Sequence, residues 1–392
     1  MDISLYFEPI NEDIVRFKPK QFAHSAYGHQ MSINRKNGSF PILEGAEIAL
    51  IGVSEDREAL ENKGCGKAAD YIRSRFYQLF SWQSNTNIID LGNLRNGENV
   101  KDTYFAIEEV MSSLLEHDIV PIIIGGSNDM VFAMYKAYER IKRVVNIVSV
   151  DARFDIGSED APIDSQAYLS KIIMQQPNYL FNYTNIGYQS YFVDPELVQL
   201  MGNLYFDTYR LGVVRSDMKE VEPIVRNADM LSIDASAIRH ADFQGNYYSS
   251  PNGFSCDEIC MITRYAGISD KLSAIGFFEY NPMLDNNLQS AHLIAQMIWY
   301  FIDGFYQRKK DSPQFSKEMF VKYMVSIQDG LYEINFYKSK KSERWWMEVP
   351  YPPSQKARYE RHNIIPCSHK DYEIACNDEV PDRWWQAMKK MV

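Results

Sequence analysis

The chain has 392 residues, 45% of them hydrophobic and 24% charged, with a formal net charge of −11. This is ordinary globular composition, long enough for one large domain or two ordinary ones, with a core that needs no covalent staples. The acidic balance argues against a nucleic-acid or anionic-membrane partner, because neither attracts an acidic surface.

From the start of the chain, MDISLYFEPINEDIVRF is acidic early and has no apolar h-region, so no secretory signal is expected. Short apolar runs follow at Ile48–Val53, Asn87–Leu91, Val120–Ile124, Val144–Val150, Asn185–Tyr188, Leu231–Ile233 and Leu272–Phe278. Their length and β-branched content predict buried strands. Between them, Thr103–His117, Met130–Ile141 and Ala291–Phe305 carry helical spacing, with Phe105, Ile107, Val110, Leu114 and Leu115 on one face of the first. Strands alternating with helices predict an α/β fold with a mostly parallel sheet covered on both faces.

The apolar stretch Leu293–Phe301 is too short to span a bilayer. Five cysteines with irregular gaps form no disulfide framework, and Cys256 and Cys260 sit one helical turn apart. Buried thiols in a reducing compartment are the expectation, and hence a cytoplasmic protein. Cys65, in the Gly-rich, Lys-flanked KGCGK, is the one thiol whose setting suggests a lowered pKa, though no base partner is visible. After about Phe305 the rhythm changes to KSKKSERWW and VPYPPSQK, with four of the six tryptophans as Trp345–Trp346 and Trp384–Trp385. We therefore divide the chain into an N-terminal arm (1–44), an α/β domain (45–308) and a Trp-rich C-terminal extension (309–392). The tryptophans either pack the extension onto the domain or form a partner or subunit interface.

Chemistry gathers where strand ends carry polar peptides. GGSND follows Val120–Ile124, DARFD follows Val144–Val150, SIDASAIRH spans Ser232–His240, and EYNP follows Leu272–Phe278. Strand alternation would place Asp151, Arg153 and Asp155 on one side. Clustered carboxylates repel unless a cation neutralises them, and oxygen ligands suit Mg2+, Mn2+ or Ca2+.

The order and spacing of these motifs, over about residues 45–308, resemble the ureohydrolases (arginase, agmatinase and formimidoylglutamase) with their GGDHS, DAHxD, SxDxDxxDP and Glu-before-Asn-Pro signature. The resemblance implies a three-layer αβα sandwich, an oligomer, and two Mn2+ ions held by two His and four Asp for hydrolysis of linear amidines. Asp151, Asp155 and Asp234 match ligand positions. Asn128 stands where GGDHS has its His, Arg153 where DAHxD has its His, and Ser236 and Arg239 where SxDxDxxDP has its second and third Asp. No His lies between Asp155 and Asp234.

Carried over, one ion keeps Asp151, Asp155, Asp234 and a carbonyl oxygen from Asn128, while the second loses both private ligands. A guanidinium is permanently charged and forks onto carboxylates, so Arg153 is expected to fill the second ion's place and bridge them. At most one divalent ion (Mn2+ or Mg2+) is expected, and a dinuclear Mn site is not. Glu279 would contact the substrate's amidine end, accept a backbone N–H, or pair with Arg239. The expected function is a non-catalytic binding or scaffold protein; the alternative is a divalent-metal hydrolase of linear amidine C–N bonds. The corresponding partners are a small amidine, or a protein held through the extension.

Overall fold

A computed structural model describes residues 2–16, 24–82, 86–158, 160–313, 317–355 and 360–391. Phe17 and Lys356, at the ends of segments named above, lie outside them.

The predicted alternation appears as a sheet whose strands split their side chains between two cores. In β5 (Val120–Ile124), Ile122 and Ile124 join one core and Ile123 the other. The first core takes in the helices Ala68–Phe76, Cys256–Ile268 and Gln289–Phe305, and the second the helices Val100–Glu116 and Met130–Arg140. Every strand of the middle is therefore buried on both faces, as its unbroken Val/Ile runs require. The result is a three-layer αβα sandwich.

The other strands of this sheet are β1 (Phe7–Glu8), β2 (Ser32–Ile33), β3 (Ile48–Val53), β4 (Ile88–Leu94), β6 (Val145–Val150), β7 (Leu180–Tyr188), β8 (Asp207–Arg210), β9 (Met230–Asp234) and β10 (Ala274–Phe278). Their order is β1-β4-β3-β5-β10-β9-β6-β7-β8, with β2 also on β4. All pairings are parallel except β1 with β4. The N-terminal arm thus supplies the edge strands β1 and β2. Phe105, placed on the buried face of its helix from spacing, is 51% exposed. Next to β4, Arg73 is fully buried, with its Nε and Nη2 on the two oxygens of Asp90 at 2.8 and 2.9 Å and Tyr77 donating to the same carboxylate at 2.8 Å.

The extension forms an antiparallel sheet of β11 (Phe320–Ile327), β12 (Tyr332–Ser339), β13 (Trp345–Glu348) and β14 (Ile364–Cys367), in that order, packed with the helices His369–Cys376 and Asp382–Met391. Trp345, Trp346 and Trp384 are buried. Trp384 donates through Nε1 to the Glu348 carbonyl at 2.9 Å, and the Trp346 ring lies 4.3 Å under the guanidinium of Arg226 from the main domain. Of the four tryptophans, Trp385 alone is partly exposed. No helix among the described residues is long and apolar enough to cross a membrane.

Candidate metal centre

The four central neighbours β5, β10, β9 and β6 run parallel, so their carboxyl ends converge on one patch. After β5 the chain turns through Gly125 and Gly126, with φ of +88° and +79°. A Cβ at either would also meet a backbone oxygen at 3.0 Å, so both positions need glycine. That turn aims the Asn128 N–H at Glu279 Oε1, 2.8 Å away. The Asn128 side-chain amide donates to Asp155 Oδ2 at 2.8 Å and to Asp151 Oδ2 at 3.4 Å, and its Oδ1 is buried without a hydrogen-bond partner. The next residue, Asp129, faces Tyr104, whose hydroxyl donates to it at 2.6 Å; burial raises its carboxyl to about 6.

Beyond β6 the chain leaves strand geometry. Asp151 Oδ1 accepts the Arg153 N–H at 2.8 Å in a local turn, and Asp155 has φ +52°. These bends, not strand alternation, bring Asp151 and Asp155 together. From β9, Asp234 Oδ1 accepts the Ser236 N–H at 2.6 Å, and the Ser236 hydroxyl reaches Asp151 Oδ1 at 3.4 Å. Oxygens of Asp151, Asp155 and Asp234 lie within 4.8 Å of one another, and all three residues are buried. Burial drives each carboxyl upward, Asp234 to about 8, and the charge of Asp151 adds to the rise at Asp155 and Asp234.

These residues fit one hard divalent cation. Three buried carboxylates that make no ion pair among the described residues, beside an amide oxygen that lacks a donor, form an all-oxygen set of the kind that holds Mn2+ or Mg2+. The rotamer that turns Asn128 Oδ1 inward is related to the present one by an amide flip.

Arg153 departs from the expected position. It makes no ion pair with the three aspartates; its guanidinium lies 4.5 Å from the Phe192 ring and 5.4 Å from the Tyr248 ring. Stacking on two aromatic faces compensates the charge without desolvating it fully, and the side chain stays partly exposed. Its charge still lowers Asp151 and Asp234 from nearby. Arg239 is further out, 39% exposed and paired with Asp242 at 2.9 Å, so it does not partner Glu279.

Glu279, buried with φ +64°, has both carboxylate oxygens taken, one by the Asn128 N–H and the other by Asn62 Nδ2 at 2.6 Å. Burial and the charge of Asp234 raise it well above the usual range. The space left between Arg153, Gln166, Tyr248, Glu279 and the aspartates is about 10 Å3, the size of a single water. Burial, and after it the charges of Glu279, Asp56 and Asp129, push the Cys65 thiol up, so the activation suggested by KGCGK is absent. Nothing in the sequence singled out Asn62, Phe192 or Tyr248, since the first lies in a short 3-10 helix and the others in turns, all outside the motifs.

Residues 46–303 match the family model described as the arginase family. Formimidoylglutamase of Staphylococcus haemolyticus is 23% identical over 302 residues, covering 72% of this chain and 94% of that one. Formimidoylglutamase of Vibrio vulnificus is 25% identical over 284 residues, covering 64% and 82%. Among solved structures, formiminoglutamase of Trypanosoma cruzi with Mn2+ aligns with a TM-score of 0.65 at 18% identity, covering 72% of this chain and 99% of that one. Agmatine ureohydrolase of Thermoplasma volcanium aligns with a TM-score of 0.60 at 18% identity, covering 76% and 98%.

Proposed function

The chain belongs to the arginase family, and from that premise we propose that it is a non-catalytic member which holds at most one divalent ion and serves as a binding or scaffold protein. The observation that carries this reading is Arg153, which lies against Phe192 and Tyr248 at the edge of the same small space as the aspartates, near enough for its charge to act on Asp151 and Asp234. A fixed positive charge there opposes a second cation, and Ser236 gives that cation a hydroxyl in place of a carboxylate. About 10 Å3 of free space beside the aspartates is room for one ion or one water.

Asp151, Asp155, Asp234 and Asn128 would hold the ion; when bound, a divalent ion supplies Lewis acidity and a lowered water pKa. Glu279, tied by two donors, acts as a brace for the Asn128 backbone rather than as a free carboxylate for a substrate. The second reading, hydrolysis of linear amidine C–N bonds on a single ion, is favoured by the intact aspartate triad. The partner under the first reading is a small amidine or a protein held through the extension, and the cellular site is the cytoplasm.

The combined change Asn128→His, Arg153→His and Ser236→Asp tests the proposal. It should raise bound Mn2+ from at most one ion per chain to two, read by elemental analysis. A wild-type chain that already carries two ions would sink the reading.

A further inference from the structure

A larger cavity lies at the opposite, amino ends of the same strands, where the extension folds back. Its volume is about 570 Å3, within the usual span of small-ligand sites. Val120, Arg143, Asn227 and Ser273 line it from segments at or just before the starts of β5, β6, β9 and β10; Arg344, Trp346, Arg361 and Ile364 line it from the extension.

The chain is acidic overall, yet this cavity is cationic. Arg143, Arg226, Lys271, Arg308, Arg344 and Arg361 line it, against Asp118 and Asp270. Glu222 is 2.9 Å from Arg226 and 3.7 Å from Arg344, and Asp229 is 2.7 Å from Arg361 and 3.5 Å from Lys271. Asp270 is engaged by the backbone N–H groups of Lys310 and Asp311, both at 3.1 Å. Counting all four carboxylates still leaves two positive charges in excess.

The excess is traceable to particular side chains. Arg308 donates only to the carbonyls of Gly267 and Leu272, both at 2.9 Å, and has no carboxylate within ion-pair distance among the described residues. Burial pushes its guanidinium down to about 10, against the opposing charge of Asp270. Arg143 also lacks an ion pair among the described residues. Arg226 is buried, donates through Nη2 to the carbonyls of Trp345 and Cys367, and leaves Nη1 with no hydrogen-bond partner. Unpaired buried guanidinium donors are costly, and an oxyanion is the group that satisfies their fork geometry. Leu115, Ile119, Leu272 and Ile364 give the same cavity an apolar wall.

We propose that this cavity is a binding site for a phosphorylated small organic molecule, its phosphate dianion held by Arg143, Arg226 and Arg308 and its organic body against the apolar wall. The extension then has a structural task, since it supplies about a third of the lining residues. The proposal does not depend on the state of the aspartate triad.

Calorimetry on the full chain at low ionic strength tests it, with a nucleoside 5′-monophosphate and inorganic phosphate as probes against a chloride-matched control. The nucleotide should bind saturably, one per chain, and at least tenfold more weakly to Arg143→Gln and to Arg308→Gln. Arg143 anchors no other element, so its variant keeps the test valid if Arg308→Gln folds poorly. Asp155→Asn should bind as the wild type does. Absence of binding, or equal binding by Arg143→Gln, overturns the site; inorganic phosphate binding as tightly as the nucleotide overturns the organic occupant.

Discussion

The two ends of the central sheet carry buried charge of opposite sign. At the carboxyl ends of β6 and β9, Asp151, Asp155 and Asp234 crowd within 4.8 Å with little but an amide and a hydroxyl between them. At the amino ends, arginines of the domain and of the extension line a cavity whose carboxylates fall short of neutralising them. Desolvation acts on both, raising carboxyls at one end and lowering Arg308 and Lys271 at the other. A cation would offset the charge of the first and, as proposed above, an anion that of the second. The difference is in what closes them: the acidic end leaves room for one ion, while the basic end is open enough for a molecule.

Removing a ligand from the acidic end should have the largest effect. Asp155→Ala is expected to weaken Mn2+ binding by more than about 100-fold, since even residues behind a metal ligand contribute about 10–100-fold. Titration by calorimetry reads this, and an unchanged affinity would place the ion elsewhere.

Next comes a change in the extension's own hydrophobic core. Trp384→Ala should cost about 3–5 kcal/mol in denaturant unfolding of the extension, because a buried indole leaves a large cavity. Ion binding at the distant triad should shift by no more than about twofold, as expected for separate sites. A large loss of ion binding in this variant would mean that the two ends are coupled.

A smaller effect concerns pH. In chelator, Asp234 keeps its proton in the fold up to about 8 but releases it in the unfolded chain near the ordinary value of about 4. The folded state then binds more protons, so metal-free stability should fall as pH rises between those values. Melting temperature in chelator should be lower at pH 8 than at pH 5, and added Mn2+ should restore more at pH 8. A flat profile would show that the triad is already neutralised by protein groups.

Smallest of all, Arg239→Ala should leave both melting temperature and ion binding unchanged, since its side chain is 39% exposed and its ion pair is with Asp242, not with the triad. A change in Mn2+ affinity would return Arg239 to the centre.

The strands of the sandwich were legible because they are short Val/Ile runs buried on both faces; Ile48–Val53 and Val120–Ile124 have the expected ends. β8 was not, because DTYR is a half-exposed edge strand with no apolar run. The extension's sheet was hidden for a similar reason. In β11, exposed residues interrupt the buried ones, and Lys and Ser fill the turn after β12. At the site, the aspartates and Asn128 could be named from motif order alone. The position of Arg153 could not, because the rings that hold it come from residues 192 and 248, and only the folded chain brings them there.

The central proposal is a one-ion centre without turnover. Its most direct test is Mn content of the purified chain, with and without added Mn2+, measured on the same samples as urea or formamide release from arginine, agmatine and formiminoglutamate. No more than one ion per chain and no product from any of the three are expected. Two ions per chain together with sustained release from one substrate would contradict the proposal.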